Sequence, residues 1–137
     1  MLQTLNITKS FGDRLLFADV SLSISEGEKV GLIAPNGAGK STFLNIIAGI
    51  EAPDSGSVVF ERGTRVGYLT QTPAFKEGET ILDFATPEPL SADDFDAPGR
   101  ATRMLHQFGI TDLSQPMDTL SGGQLKRAAL VKVLLEE

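Results

Sequence analysis

The sequence contains no cysteine, no tryptophan and a single histidine, His106, and each gap removes a class of chemistry. Without thiols there is no disulfide framework, thiolate zinc site or cysteine nucleophile, and one histidine does not build a metal cluster alone. The chemistry must come from oxygen, backbone amide and Lys/Arg groups. No apolar run approaches the ~20 residues that span a bilayer. Residues 1–6 also lack the basic-then-apolar order of a signal peptide. The expectation is no membrane insertion and a cytoplasmic location. Bases are in deficit, 12 Lys and Arg against 18 Asp and Glu, so a broad electrostatic footprint for nucleic acid is not expected on this chain. Repeats and low-complexity tracts are missing too, while 137 residues at 41% hydrophobic content suffice for one compact domain with a real core.

The alternation Val20, Leu22, Ile24 predicts a strand with one buried face, ended by the turn Ser25-Glu26-Gly27-Glu28. The apolar run Lys29-Val30-Gly31-Leu32-Ile33-Ala34 predicts a short buried strand. A loop follows over 35–39, and Phe43, Leu44, Ile46 and Ile47 recur at helical spacing before Gly49, which predicts a helix over 40–48. Two short strands, 57–60 and 65–69, are expected to form a hairpin through Arg62-Gly63-Thr64. Between 72 and 99 lie four prolines and several acids, read as loop and short helix around Ile81, Leu82 and Phe84. Ala101, Met104, Leu105 and Phe108 predict a second helix, with Pro98 near its start and Gly109 past its end. Ser121 and Gln124 match a capping box that opens a helix running to the C-terminus.

Residues 34–42, Ala-Pro-Asn-Gly-Ala-Gly-Lys-Ser-Thr, match the phosphate-binding pattern G-x-x-x-x-G-K-[ST] at every fixed position except the first. Gly37 and Gly39 let successive backbone N–H groups converge on an anion, and the following helix presents its positive end to the same point. Lys40 suits the β- and γ-phosphates, Ser41 a magnesium ion, and Thr42, Asn36 and Ala38 complete the loop around the phosphates. Ala34 stands where glycine is usual, and a position that demands positive φ would penalise it. The bland alternative is a glycine-rich turn carrying an exposed lysine.

A second string, Leu120-Ser121-Gly122-Gly123-Gln124, is by itself equally a helix cap after a turn. With the phosphate loop it resembles the ABC ATPase family, whose signature reads LSGGQ. The resemblance covers the whole chain and implies an α/β fold: a P-loop NTPase ABC ATPase core with antiparallel β strands and a partial helical subdomain. It implies ATP and Mg as cofactors. Ser121, Gly122 and Gly123 would then act in trans on ATP held by a second ABC domain in a head-to-tail arrangement. Gln71 falls at the family's Q-loop, where it would ligand magnesium or place water, and Phe11 at the position of the aromatic that stacks on adenine. Residues 1–71 would form the core and 72–137 the Q-loop linker and helical subdomain.

The short connector over 50–69 looks like the ABC-F branch, and Ser10-Phe11-Gly12-Asp13-Arg14-Leu15-Leu16-Phe17 resembles the first domain of its Uup-like members. The branch implies ribosome- and translation-related work, with tRNA or ribosome contacts carried by segments outside this sequence. Two departures stand against it: the stretch from Gln71 to the signature is short, and the inter-domain linker is absent. The family's Walker B acids and switch histidine are not in these residues. The domain is therefore expected to be C-terminally incomplete, less stable than a full one, and to hold ATP without hydrolysing it. A transporter ATPase subunit and a non-catalytic ATP-binding module remain as alternatives. His106, the acids Asp93, Asp94 and Asp96, and the helix over 125–135 read more simply as a solvated helix residue, a solvated loop and a packed helix than as catalytic, cation-binding or membrane-surface features.

Overall fold

The computed structural model describes residues 1–87 and 96–136. They fall into two compact units, Met1–Val66 and Gly67–Glu137.

In the first unit, strand β1 (Leu2–Phe11) lies between β2 (Arg14–Ile24) and β3 (Ser55–Phe60), both antiparallel to it. The β1–β2 register shifts between Thr4 and Ile7, where Asn6 adopts φ 50°, and again between Ile7 and Lys9, where Asp19 on β2 adopts φ 53°. At such irregularities side-chain oxygens replace the missing ladder carbonyls. The amide of Asn6 donates to Ser21 Oγ at 2.8 Å, that of Asp19 to Thr8 Oγ1 at 3.1 Å and that of Leu22 to Thr4 Oγ1 at 3.0 Å. Thr4 is accordingly buried at 1% exposure, and its hydroxyl donates in turn to Val20 O. Helix α1 (Lys40–Ile47) supplies Phe43 and Ile46 to a core with Ile7, lined by Phe17, Val20, Leu22, Ile47 and Val58. The Phe17 and Phe43 rings meet edge-on, 5.5 Å apart.

Two strand expectations fail. Residues 29–34 belong to no ladder among the described residues, and Val30, Leu32 and Ile33 are exposed, Ile33 at 94%. An apolar run becomes a strand only when neighbouring strands offer their N–H and C=O groups, and none does so here. Residues 65–69 likewise form no strand, so the expected hairpin is replaced by pairing of β3 with β1, Leu2 opposite Phe60. Conversely β1 escaped the sequence reading, because its shift between Thr4 and Ile7 breaks the alternation that marks a strand.

The second unit is helical: α2 (Ile81–Ala85), α3 (Ala97–Gln107) and α4 (Gly122–Leu135), with a 3₁₀ turn at Met117–Thr119. Thr80 caps α2, its Oγ1 accepting from the Asp83 amide. Ile81, Phe84, Ala101, Leu105, Ile110, Met117, Ala128 and Val131 share one core, with Met104 and Phe108 packed at its margin as the helical spacing predicted. Arg127 donates to Phe108 O at 2.9 Å, closing the C-terminal end of α3. His106 is exposed near that end. Asp96 pairs with Arg103 at 2.7 Å on the surface, whereas Asp93 and Asp94 lie outside the described residues. The α/β class, with an antiparallel sheet and several helices, is the one expected.

Candidate functional site

The loop before α1 is built from a turn at 35–38, in which the Ala38 amide donates to Pro35 O at 3.2 Å, and from two left-handed glycines. Gly37 has φ 79° and Gly39 φ 92°. Gly39 is the N-cap of α1, and a Cβ there would lie 3.0 Å from the Phe17 ring. Both conformation and space therefore call for glycine at 39. Ala34 is not among the non-glycine residues of positive φ, so alanine carries no backbone penalty at that position.

Lys40 folds back over the loop, Nζ donating to Ala34 O at 2.6 Å and Pro35 O at 2.9 Å. Asn36, Gly37 and Ser41 are exposed, and Ala38, Gly39 and Thr42 half-buried. The first turn of α1 has no side-chain cap and no acidic residue, whereas α2 and α4 are capped by Thr80 and Ser121 and α2 also carries Asp83 in its first turn. Uncapped N-terminal amides, an ammonium group, two hydroxyls and no carboxylate in that turn form a donor set that fits a phosphate chain.

Arg14, which the sequence reading did not single out, joins the same place: its Nη2 lies 3.4 Å from Gly37 O. Its Cα partner across the two-residue Gly12-Asp13 turn is Phe11, a residue 78% exposed. The pairing of β1 with β2 thus brings Phe11 and Arg14 together at one end of the sheet, and the tie to Gly37 brings Arg14 to the loop.

In the second unit, Ser121 is the N-cap of α4 in a complete capping box. Its hydroxyl accepts from the Gln124 amide at 3.3 Å and donates to Gln124 Oε1 at 2.8 Å, which also accepts the Ser121 amide at 3.0 Å. Ser121, Gly122 and Gly123 are exposed, and a Cβ on either glycine would meet nothing within 4 Å. Packing inside this chain therefore does not require them to be glycine. Gln71 lies in the same unit as this segment, exposed in a bend. Among the described residues no group of three or more acidic or histidine side chains is arranged to hold a metal ion, so any cation here would rest on hydroxyl, amide and ligand oxygens.

The family described as ABC transporter matches residues 17–137. The chain belongs to that family of ATP-binding cassettes. It is 37% identical to the ribosome protection protein VmlR of Bacillus subtilis, covering 99% of this chain and 24% of that protein in an alignment of 142 residues. With the uncharacterized ABC transporter ATP-binding protein YfmR of the same organism the figures are 31%, 99% and 28%, over 173 residues. With the zinc import ATP-binding protein ZnuC of Yersinia enterocolitica they are 38%, 98% and 53%, over 144 residues. The chain thus spans about a quarter to a half of these relatives. Among solved structures, a dimeric post-hydrolysis ATP-binding cassette bound to ADP and Pi superposes with a TM-score of 0.82 at 25% identity, covering 98% of this chain and 69% of that one. In this cassette no helix among the described residues is long and apolar enough to cross a membrane.

Proposed function

We propose that this cassette is the ATP-binding part of an ABC-F-type ATPase, of the Uup-like kind, that couples ATP binding and hydrolysis to work at the ribosome. The observation that carries nucleotide binding is the uncapped start of α1 behind Gly39 at φ 92°, with Lys40 lying over the loop. Gly37, Ala38, Gly39 and Thr42 give amides or hydroxyl to the phosphates, Asn36 borders them, and Lys40 exchanges its two carbonyl partners for phosphate oxygens. By the family resemblance Ser41 and Gln71 would be the magnesium ligands, and the ion would supply charge neutralisation at the phosphates. Phe11 offers an exposed face for adenine.

Ser121, Gly122 and Gly123 serve a second ABC domain rather than their own. The open space around both glycines supports this, since nothing within the chain crowds the exposed start of α4 where a phosphate would approach. Work at the ribosome is supported by the likeness to VmlR across nearly the whole chain with little insertion. A transporter ATPase subunit is the second reading, favoured by the equally compact alignment with ZnuC.

The two readings separate by sedimentation of the protein expressed from its own gene. Under the ribosome reading it pellets with ribosomes through sucrose in a non-hydrolysable ATP analogue, and Lys40→Ala stays in the supernatant. Recovery in the membrane fraction, with none on ribosomes in either nucleotide state, would sink the ribosome reading.

A further inference from the structure

Among the described residues Arg14 is a cation without a counterion. Its only hydrogen bond among the described residues is the 3.4 Å contact to Gly37 O, long for a guanidinium, and no carboxylate among them pairs with it. Some other basic side chains have partners, Lys9 with Glu51 and Asp54, Arg103 with Asp96 and Arg127 with Phe108 O, so what distinguishes Arg14 is its place beside the loop.

The position is specific. Arg14 opens β2 opposite Phe11, and a Cβ built at Gly37 would lie 4.0 Å from Arg14 Nη2, so the guanidinium overhangs the loop next to the uncapped start of α1. Five N–H donors in a planar fork, only one of them lightly engaged, match two oxygens of one phosphate. The carbonyl of Gly37 is a weak partner that a charged one displaces.

We propose that Arg14 is a nucleotide-contacting residue, a second cation delivered to the phosphate chain from β2 rather than from the loop, and exchanging Gly37 O for phosphate oxygen on binding. The proposal rests on the nucleotide-binding reading of the loop. It also explains why Arg14 neighbours Phe11: a nucleotide with its base on that ring and its phosphates at Lys40 passes the guanidinium.

The test is calorimetric binding of ATP and of adenosine to the wild-type chain and to Arg14→Gln, Arg14→Lys and Lys40→Ala, with folding checked by circular dichroism. Arg14→Gln keeps a donor for Gly37 O but no charge, whereas Arg14→Lys keeps the charge. The expected result is a loss of ATP affinity of about ten- to a hundredfold in Arg14→Gln, a smaller loss in Arg14→Lys, unchanged adenosine binding, and weaker salt dependence than wild type. Wild-type ATP affinity in Arg14→Gln, with Lys40→Ala impaired, would overturn the role of Arg14 and leave the loop assignment standing. Wild-type affinity in both would overturn the loop assignment and the proposal with it.

Discussion

Gly39→Ala tests whether the geometry at the start of α1 is as constrained as it looks. Two costs and one gain decide the outcome. An alanine held at φ 92° carries a left-handed strain of about 1–2 kcal/mol. The new Cβ would lie 3.0 and 3.1 Å from two Phe17 ring carbons and 3.2 Å from Leu16 Cβ. Phe17 cannot retreat freely, because its ring meets Phe43 edge-on and Phe43 is 5% exposed, so overpacking adds about 1 kcal/mol. Against these, alanine lowers the entropy of the unfolded chain, returning about 0.4–1 kcal/mol. The net expectation is a destabilisation of about 1–3 kcal/mol. Gly12→Ala provides the control: φ is 57° there and a Cβ would meet nothing within 4 Å, so only strain and entropy remain, a net of about 0–1.6 kcal/mol, lower than Gly39→Ala by the crowding cost. Urea unfolding followed by far-UV circular dichroism suits the measurement, since the one tyrosine, Tyr68, lies in the second unit and the chain has no tryptophan. With a slope near 1 kcal/mol/M for a unit of this size, the Gly39→Ala midpoint should fall by about 1 M or more. Equal midpoints for Gly39→Ala and Gly12→Ala would refute the crowding argument, and a Gly39→Ala variant as stable as wild type would refute the strain argument as well.

Three other outcomes are expected. In the protein expressed from its own gene, Ser121→Arg or Gly122→Asp should cut ATP turnover strongly while leaving ATP binding by the isolated chain within about twofold, because under the proposed trans role the phosphate they face would belong to another domain; full turnover in either variant rejects the trans role. Thr4→Val should destabilise the first unit by about 1–2 kcal/mol in urea unfolding, since it strands the Leu22 amide and removes the donor to Val20 O, while Thr4→Ser should recover most of the loss. The Lys9 pKa is raised above its usual 10.5, chiefly by the hydrogen bond to Glu51, with burial opposing and the charges of Glu51 and Asp54 adding to the rise. A raised cation pKa stabilises the fold fully below about pH 10.5 and loses that contribution as pH climbs through the folded value, so the stability gap between wild type and Lys9→Met should narrow above that pH and stay flat between pH 7 and 9.

What the sequence determined by itself is whatever the backbone decides locally. A left-handed N-cap needs glycine, so Gly39 ahead of Lys40 and Ser41 was readable as a glycine turn feeding a helix start, and the capping box was readable because Ser121 and Gln124 contact each other across one helical turn. The α3 spacing of Ala101, Met104, Leu105 and Phe108 was readable for the same reason. Strand pairing is not local. Residues 29–34 carry the composition of a buried strand yet remain unladdered, because hydrogen-bond partners decide strands and composition does not supply them. Strand β1 was hidden by its own irregularity, which only the hydroxyls of Thr4, Thr8 and Ser21 make tolerable. Arg14 was one charged residue among 30 until the β1–β2 pairing set it across from Phe11 and the tertiary contact with Gly37 set it beside the loop. Its meaning comes from residues 23 positions away, a separation over which only the folded chain carries information.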